Sequence, residues 1–502
     1  MKKALFLTAD LERGRGEMPR FAAGLLPAWR NTVRRARTEF EPLVLSLHDP
    51  TEPLLDLKPS VDFPQTKGFE ILEAVRGGEK CYFIDSPPLE NEKEFEKELQ
   101  KKYGIPALSG ELEEKKGMLL AFWKNACDAA ETLKKSHDIA IIDAQDWLAF
   151  PAGFLAKEKL GLPLYCRFHS CEYGRALGKP EKNGAPLLIE AAALAEADFV
   201  QAVSVSEAKS MTYHLLPEKQ GLCAAIGRNF SQEWKKEQAW KDLEYDEFLL
   251  LESDDIELIG ENVAGITNGI DLDEWKQVGL SDIQRGRGLF RQLFEKKHYV
   301  FFLGRPGRTK GLDVMLRAFA LAGHEDAGLV VSSALLEKQQ EHYRKMLHTL
   351  GLEKSVAIHA GWLDESVKKS MLAAADVVCL PSLYEPFALV ALEALAADLA
   401  CENNNVPGPA VVVGATGGMN EVIRNGVNGF KCPMDEDRFE MKPEFLARVL
   451  DMLFRKEPLR RKAAKGGAER IGAPFFDWNF VVLRHHEAYR KAIENYRKWH
   501  AK

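Results

Sequence analysis

Short apolar runs recur along the chain, and amphipathic stretches of helical length separate them. The first series is ALFLTA (4–9), PLVLSL (42–47), CYFID (81–85), IAIIDA (139–144), LPLYCRF (162–168) and FVQAVSV (199–205). A second series follows: YVFFLG (299–304), GLVVSSA (328–334), SVAIHA (355–360), VVCLPS (377–382) and AVVVGA (410–415). Continuous Val/Ile/Leu runs suit strands buried on both faces of a parallel sheet, and their alternation with helices signals βαβ units. Two such series predict an α/β protein of two Rossmann-like domains facing across a cleft.

The strand pattern lapses between about 275 and 298, at QVGLSDIQRGRGLF, so the expected domains are 1–275 and 276–475. Residues 476–502 then read as a terminal helix crossing back to the first domain. Its expected apolar stripe is Phe480, Leu483, Ala488 and Ile493. The stretch 231–262 holds eleven acids against three lysines and reads as a charged surface insertion. No repeat or low-complexity tract is evident.

Composition narrows the function. The 502 residues are 46% hydrophobic, with 68 Lys+Arg against 75 Asp+Glu, a formal net charge of −7. That weighs against a nucleic-acid partner, which calls for a basic surface. No apolar run approaches the length of a transmembrane helix, and Ala4–Ala9 is too short for a signal-peptide core, so the expected location is the cytoplasm. Weak peripheral membrane contact stays open, because Arg20, Arg30, Arg34, Arg35 and Arg37 crowd residues 19–38. A solvated helix face is the favoured reading of them. Eight scattered cysteines form no CxxC pair and no zinc spacing, so they read as reduced thiols and no metal is expected. Nothing in the pattern sets an oligomeric state.

In open α/β sheets, ligands bind beyond the C-terminal ends of strands, and the unusual residues follow the strand candidates. Arg305 and Lys310 sit in GRPGRTKG after the 299–304 run, where two cations before a helix start suit a diphosphate or make a basic surface turn. Glu385 follows the 377–382 run, and Pro386 fits the first position of the next helix. Phe387, Ala388 and Leu389 would then offer backbone N–H groups to hydroxyls or phosphate. Glu393, eight residues after Glu385, would lie about two turns further on roughly the same face and could bridge a second pair of hydroxyls. Both acids also fit ordinary roles, one at a helix start and one facing solvent. Thr416 and Gly417 permit close backbone approach after the 410–415 run. In the first half, Asp146 and His169 follow the 139–144 and 162–168 runs, where each could bind sugar hydroxyls or be structural. Arg15 lies in the Gly-rich basic loop LERGRG after the first run, which could close on a phosphate.

Together these pieces resemble retaining glycosyltransferases of the GT-B fold, and within them the glycogen and starch synthases. GRPGRTKGLDVML resembles the family's Arg-x4-Lys-Gly segment, and EPFALVALE its acid-x7-acid motif. GITNGIDLDEW (265–275), CYFIDSP (81–87), QDWLAFPAG (145–153) and FFDW (475–478) are also similar to synthase segments. The resemblance implies that Arg305 and Lys310 hold the donor diphosphate, that Glu385 sits beside the donor sugar and acceptor, and that Glu393 binds the ribose. It implies amides from Phe387, Ala388 and Leu389 for the sugar or phosphate, with Thr416 and Gly417 lining the phosphate or acceptor side. It puts His169 near the anomeric centre and Asp146 against sugar or acceptor.

The departures are specific. The family's Lys-Thr/Val-Gly-Gly loop is Arg15-Gly16-Glu17-Met18, and its HDWH segment is Gln145-Asp146-Trp147-Leu148, with both histidines absent. HSCEYGR and Glu393 look more like broader relatives acting on small acceptors. The implied activity is transfer of glucose from a nucleotide-sugar donor, ADP-glucose before UDP-glucose, to the non-reducing end of an α-1,4-glucan or oligosaccharide, with retention and without a cofactor. The alternatives are a retaining hexosyltransferase acting on a small sugar, sugar phosphate or lipid-linked acceptor, and a glucan-binding relative without turnover.

Overall fold

The structure, a computed structural model, describes residues 1–11, 17–34, 39–49, 56–63, 68–181, 184–208, 257–258, 262–435 and 438–500. It divides into two compact units: Met1–Gly269 with Trp478–Lys502, and Ile270–Asp477. Most of the acidic 231–262 stretch lies outside the described residues, apart from a two-residue strand within it.

The first unit is built on one sheet. Its strands are β1 (Lys2–Thr8), β2 (Phe40–Leu47), β3 (Lys58–Pro59), β4 (Glu70–Arg76), β5 (Glu79–Asp85), β6 (Ile139–Gln145), β7 (Leu164–Phe168), β8 (Phe199–Ala202), β9 (Glu257–Leu258) and β10 (Val263–Gly265). They lie in the order β3-β4-β5-β2-β1-β6-β7-β8-β10-β9. From β5 to β10 neighbours pair parallel. β3 and β4 close one edge antiparallel, and β9 closes the other. The parallel strands are buried on both faces, as in β1, where Ala4–Leu7 are wholly inaccessible. That is why they read as unbroken apolar runs.

The helix Glu17–Arg34 turns Phe21, Leu25, Leu26 and Trp29 into the core. Its Arg30 donates to the Gly78 carbonyl at 3.1 Å, in the turn between β4 and β5. That contact ties one of the basic residues of 19–38 to the fold itself. The terminal helix Trp478–His500 packs on the same core, through Trp478, Val481, Val482, Ala488, Tyr489 and Ala492. The expected stripe is therefore corrected. Ala488 is buried, whereas Phe480, Leu483 and Ile493 are only partly so. Trp478 fixes the register, because its indole fills a notch left by two glycines. A Cβ on Gly24 would lie 2.2 Å from that ring, and one on Gly269 2.7 Å from it.

The second unit has six parallel strands: β11 (His298–Leu303), β12 (Ala327–Ser332), β13 (Val356–His359), β14 (Val377–Leu380), β15 (Ala410–Gly414) and β16 (Phe430–Cys432). Their order is β13-β12-β11-β14-β15-β16. The stretch where the strand pattern lapses contains the helix Leu280–Leu293, which belongs to this unit. Among the described residues, no helix is long and apolar enough to cross a membrane. Seven cysteines are free and buried, and Cys223 lies outside the described residues.

Candidate active site

Both sheets reverse their winding once. In the first unit the chain runs outward from β1 through β2 to β5, then returns beside β1 as β6. In the second it runs from β11 through β12 to β13, then returns beside β11 as β14. Loops leaving the two strands at such a reversal diverge to opposite faces and open a crevice, the usual ligand position in these sheets. The loops after β6, β11 and β14 carry most of the candidate residues.

In the second unit three loops lock together. The loop after β11 passes through a short turn, Arg308–Lys310, and enters a helix at Gly311 with φ +69°. A Cβ there would stand 2.0 Å from the Pro381 carbonyl oxygen, so only glycine allows this approach to the loop after β14. Leu383 N–H donates to the Thr309 carbonyl at 2.7 Å, and Tyr384 N–H to the same oxygen at 3.3 Å. These backbone ties bring Lys310 Nζ to 2.6 Å from Glu385 Oε2, with the Ser382 hydroxyl 3.3 Å from the same oxygen. Both charged side chains keep only a sliver of exposure, 17% and 12%. The third loop, after β15, adds Gly417, whose φ is +46° and whose Cβ would meet the Glu385 carbonyl oxygen at 1.9 Å. Thr416 beside it is buried, and Arg305 stands exposed at the start of the first loop.

The expected helix start is corrected. Helix begins at Leu389, with Ala388 as its N-cap, rather than at Pro386. The carbonyls of Glu385 and Pro386 both accept from Gly418 N–H at 3.2 Å, which holds residues 385–388 against the third loop instead of in a helical turn. Phe387 and Ala388 are thus buried loop residues, and Leu389 heads the helix. The two-turn spacing of Glu385 and Glu393 also lapses, since Glu385 is outside the helix. Glu393 is buried on that helix, where Oε1 accepts from Lys368 Nζ at 2.9 Å.

In the first unit, Asp146 follows β6 directly and adopts φ +64°, a left-handed conformation open to glycine and, through their short polar side chains, to asparagine and aspartate. Its N–H donates to the Arg167 carbonyl at 2.8 Å, and its carbonyl accepts from Ala149 and Phe150 at 2.9 and 3.2 Å, which launches the helix Phe150–Leu160. His169 follows β7 and is only 2% exposed. Burial, with the nearby Arg167 guanidinium, holds it well below the usual imidazole range, so the ring is neutral. Its Nε2 lies 3.0 Å from Gln145 Oε1, and Phe21 packs edge-on at 4.9 Å between centroids. Arg15 lies outside the described residues.

Motif reading does not find the buried polar network around His169. Arg167 is wholly buried, its guanidinium 4.1 Å over the Phe21 ring, with donors to Asn268 Oδ1 at 2.7 Å and Gln201 Oε1 at 3.2 Å. Asp143 accepts from Gln145 and from Tyr489 of the terminal helix. The one signal in the sequence is an Asp and an Arg inside runs that are otherwise apolar. Among the described residues no three His, Cys, Asp or Glu side chains gather as a metal site.

Residues 290–470 match the family described as glycosyl transferases group 1. The D-inositol 3-phosphate glycosyltransferase 1 of Catenulispora acidiphila is 27% identical over 381 residues, 73% of this chain and 75% of that protein. A glycosyltransferase of Methanocaldococcus jannaschii is 28% identical over 197 residues, 39% of this chain and 45% of that protein. Among solved structures, the catalytic domain of starch synthase IV from Arabidopsis thaliana, bound to ADP and acarbose, superposes with a TM-score of 0.63. It is 16% identical, over 98% of this chain and 99% of that one, a likeness of fold.

Proposed function

From a chain that is a glycosyltransferase enzyme of the GT-B fold, with a group 1 domain in its second half, we propose retaining transfer of a hexose from a nucleotide diphosphate sugar. The observation that carries this reading is the Lys310–Glu385 pair, locked at the β11/β14 reversal by three loops. Lys310 exchanges its carboxylate partner for the donor diphosphate, Arg305 adds a second cation from the exposed end of the loop, and Glu385 is released toward the sugar. The amide of Leu389 and the backbone beside Thr416 and Gly417 complete the phosphate side. Glu393 binds the ribose hydroxyls, with Lys368 orienting its carboxylate. Asp146 and His169 contact the sugar and acceptor.

Retention needs no protein nucleophile in this reading. The bond from the anomeric carbon to the phosphate oxygen breaks, the acceptor oxygen attaches on the same face, and its proton passes to the departing phosphate. The protein supplies position and electrostatics, which are worth most where donors and cations are fixed beforehand. Lys310 and Arg305 offset the charge on the leaving group, so the reading calls for no metal.

For the acceptor, the glycogen- and starch-synthase-like segments favour the non-reducing end of an α-1,4-glucan, with ADP-glucose or UDP-glucose as donor. The similarity to D-inositol 3-phosphate glycosyltransferases favours a second reading, a small phosphorylated acceptor. A radiolabel-transfer matrix decides between them: ADP-glucose and UDP-glucose, each against maltooligosaccharides and inositol 3-phosphate. Transfer to maltooligosaccharides alone supports the first reading. Transfer to inositol 3-phosphate alone supports the second, and no transfer from either nucleotide sugar refutes ADP-glucose and UDP-glucose as donors.

A further inference from the structure

A chain of hydrogen bonds runs from the terminal helix to His169. The Tyr489 hydroxyl donates to Asp143 Oδ2 at 2.5 Å, Gln145 Nε2 donates to Asp143 Oδ1 at 2.5 Å, and Gln145 Oε1 lies 3.0 Å from His169 Nε2. Every member is buried: Asp143, Tyr489 and His486 beside it are wholly inaccessible, and Gln145 and His169 nearly so. We propose that Tyr489, Asp143 and Gln145 are positioning residues that hold His169 as the Nε2-protonated tautomer, leaving Nδ1 as a hydrogen-bond acceptor for a substrate hydroxyl. The inference rests on the proposed role of His169 against the donor sugar and adds to it the direction of the hydrogen bond.

The direction follows from what each group can give. An ionised carboxylate only accepts, so the Gln145 amide turns its NH2 toward Asp143 and its oxygen toward His169. A proton on Asp143 Oδ2 would make the Tyr489 oxygen the acceptor there and leave Oδ1 an acceptor for Gln145, with the same amide orientation. The Gln145 oxygen only accepts, so the ring nitrogen facing it carries the proton. A neutral imidazole has one N–H, and Nδ1 is therefore the lone-pair nitrogen. The structure gives Nδ1 no partner, although it is buried. An unmet buried acceptor is costly, an imbalance that a ligand hydroxyl removes. Arg167, fixed by Asn268 and Gln201, keeps a cation nearby and disfavours a second proton on the ring. Gln145 is one of the positions where the chain departs from the synthase motif, so this wiring belongs to the chain's own residues.

The test has two arms. In the full chain, 15N NMR of labelled histidines, with the His169 signals assigned by their loss in His169→Asn, reads the tautomer directly and needs no substrate. The expected result is a protonated, pyrrole-like Nε2 and a pyridine-like Nδ1. The reverse tautomer overturns the proposal whatever the enzyme acts on. The kinetic arm measures transfer from ADP-glucose and UDP-glucose by Gln145→Leu, Tyr489→Phe and His169→Ala. Loss of ring orientation is expected to lower kcat by on the order of 10² in Gln145→Leu, with acceptor KM little changed. Tyr489→Phe, the milder change for the ring, strands a buried Asp143 oxygen, so it should melt lower and, assayed well below that midpoint, lower kcat several-fold. Wild-type kcat in Gln145→Leu and Tyr489→Phe, with turnover lost in His169→Ala, overturns the positioning role and leaves the reading of His169 standing. Full activity in all three overturns that reading itself.

Discussion

Gly417→Ala tests whether the contact between the second unit's loops positions Glu385. A Cβ at this position would lie 1.9 Å from the Glu385 carbonyl oxygen and 2.9 Å from its carbon, where real Cβ contacts essentially never fall below 3.0 Å. The obstacle is backbone, so no rotamer relieves it, and Glu385 must retreat by about 1.1 Å. A displacement of that size is enough to break the 2.6 Å contact from Lys310 Nζ. Misplacing a catalytic group by about 1 Å costs on the order of 10² in rate, or roughly 2.7 kcal/mol of barrier. The left-handed backbone adds about 1–2 kcal/mol of strain to the fold. For a unit of this size that lowers its melting midpoint by roughly 2–8 °C. Gly426→Ala is the matched control. Its φ is +74°, and nothing lies within 4 Å of the Cβ position, so it carries the strain without the clash. Initial rates at saturating nucleotide-glucose, together with thermal melts, separate the two effects. Both variants should melt lower, and only Gly417→Ala should lose kcat. Equal rates in the two would refute the inference that this loop contact sets the position of Glu385.

Three further outcomes are expected. Lys310→Ala and Glu385→Ala should each cut kcat by on the order of 10²–10³, as for lost transition-state electrostatics, and near-normal kcat in both would remove the pair from the site. Asp398 is buried at 2% exposure, and neither of its carboxylate oxygens has a partner, so burial raises it well above the usual carboxylate range. The folded state therefore favours the protonated form. Its stability contribution is full below the unfolded value near 3.8 and falls as pH rises through the folded value. The melting midpoint of Asp398→Asn relative to the native chain should then climb with pH from 4 to 8, and a constant difference would contradict the assignment. Trp478→Ala should cost the first unit about 3–5 kcal/mol by emptying the notch at Gly24 and Gly269, measured by denaturant unfolding.

Each of the eleven apolar runs falls on a strand of the structure, and the reason is burial. Parallel strands covered on both faces have no solvent-facing positions to interrupt them, as Val377–Leu380 of β14 illustrates. The strands that escaped notice are of another kind. β4, EILEAVR, has its apolar residues interrupted by charged ones in the antiparallel part of the sheet, and β3, β9, β10 and β16 are two or three residues long. The candidate site was legible where chemistry and turn residues coincide in sequence, as at GRPGRTKG and TGG. It was not legible where tertiary contacts override local signals. Pro386 marks a helix start by every local rule, yet Gly418 holds the carbonyls of residues 385 and 386 and delays the helix to Leu389. The terminal helix similarly takes its register from Trp478 in a notch made by glycines far away in sequence, and the stripe read from spacing alone is displaced.

The two units fix their candidate residues by different means, and this bears on how specificity changes. In the second unit, geometry comes from backbone meeting backbone: Gly311 against Pro381, Gly417 against Glu385, and Gly418 N–H on two carbonyls. A side chain added at any of these points moves a loop, so the arrangement around Lys310 resists variation. In the first unit, geometry comes from side chains, in the line from Tyr489 through Asp143 and Gln145 to His169 and in the Arg167 contacts with Gln201 and Asn268. Such a network can be rewired by one or two substitutions that leave the sheet intact, at the energetic risk of a stranded buried polar group. Gln145, where the resembled synthase segment carries a histidine, is a position of that kind, since its amide joins Asp143 to His169. Under the proposed reading, the diphosphate-binding half is the constrained one. Differences in sugar and acceptor preference among relatives should then follow the residues aligned with Asp143, Gln145 and Asp146 rather than those aligned with Lys310 and Glu385.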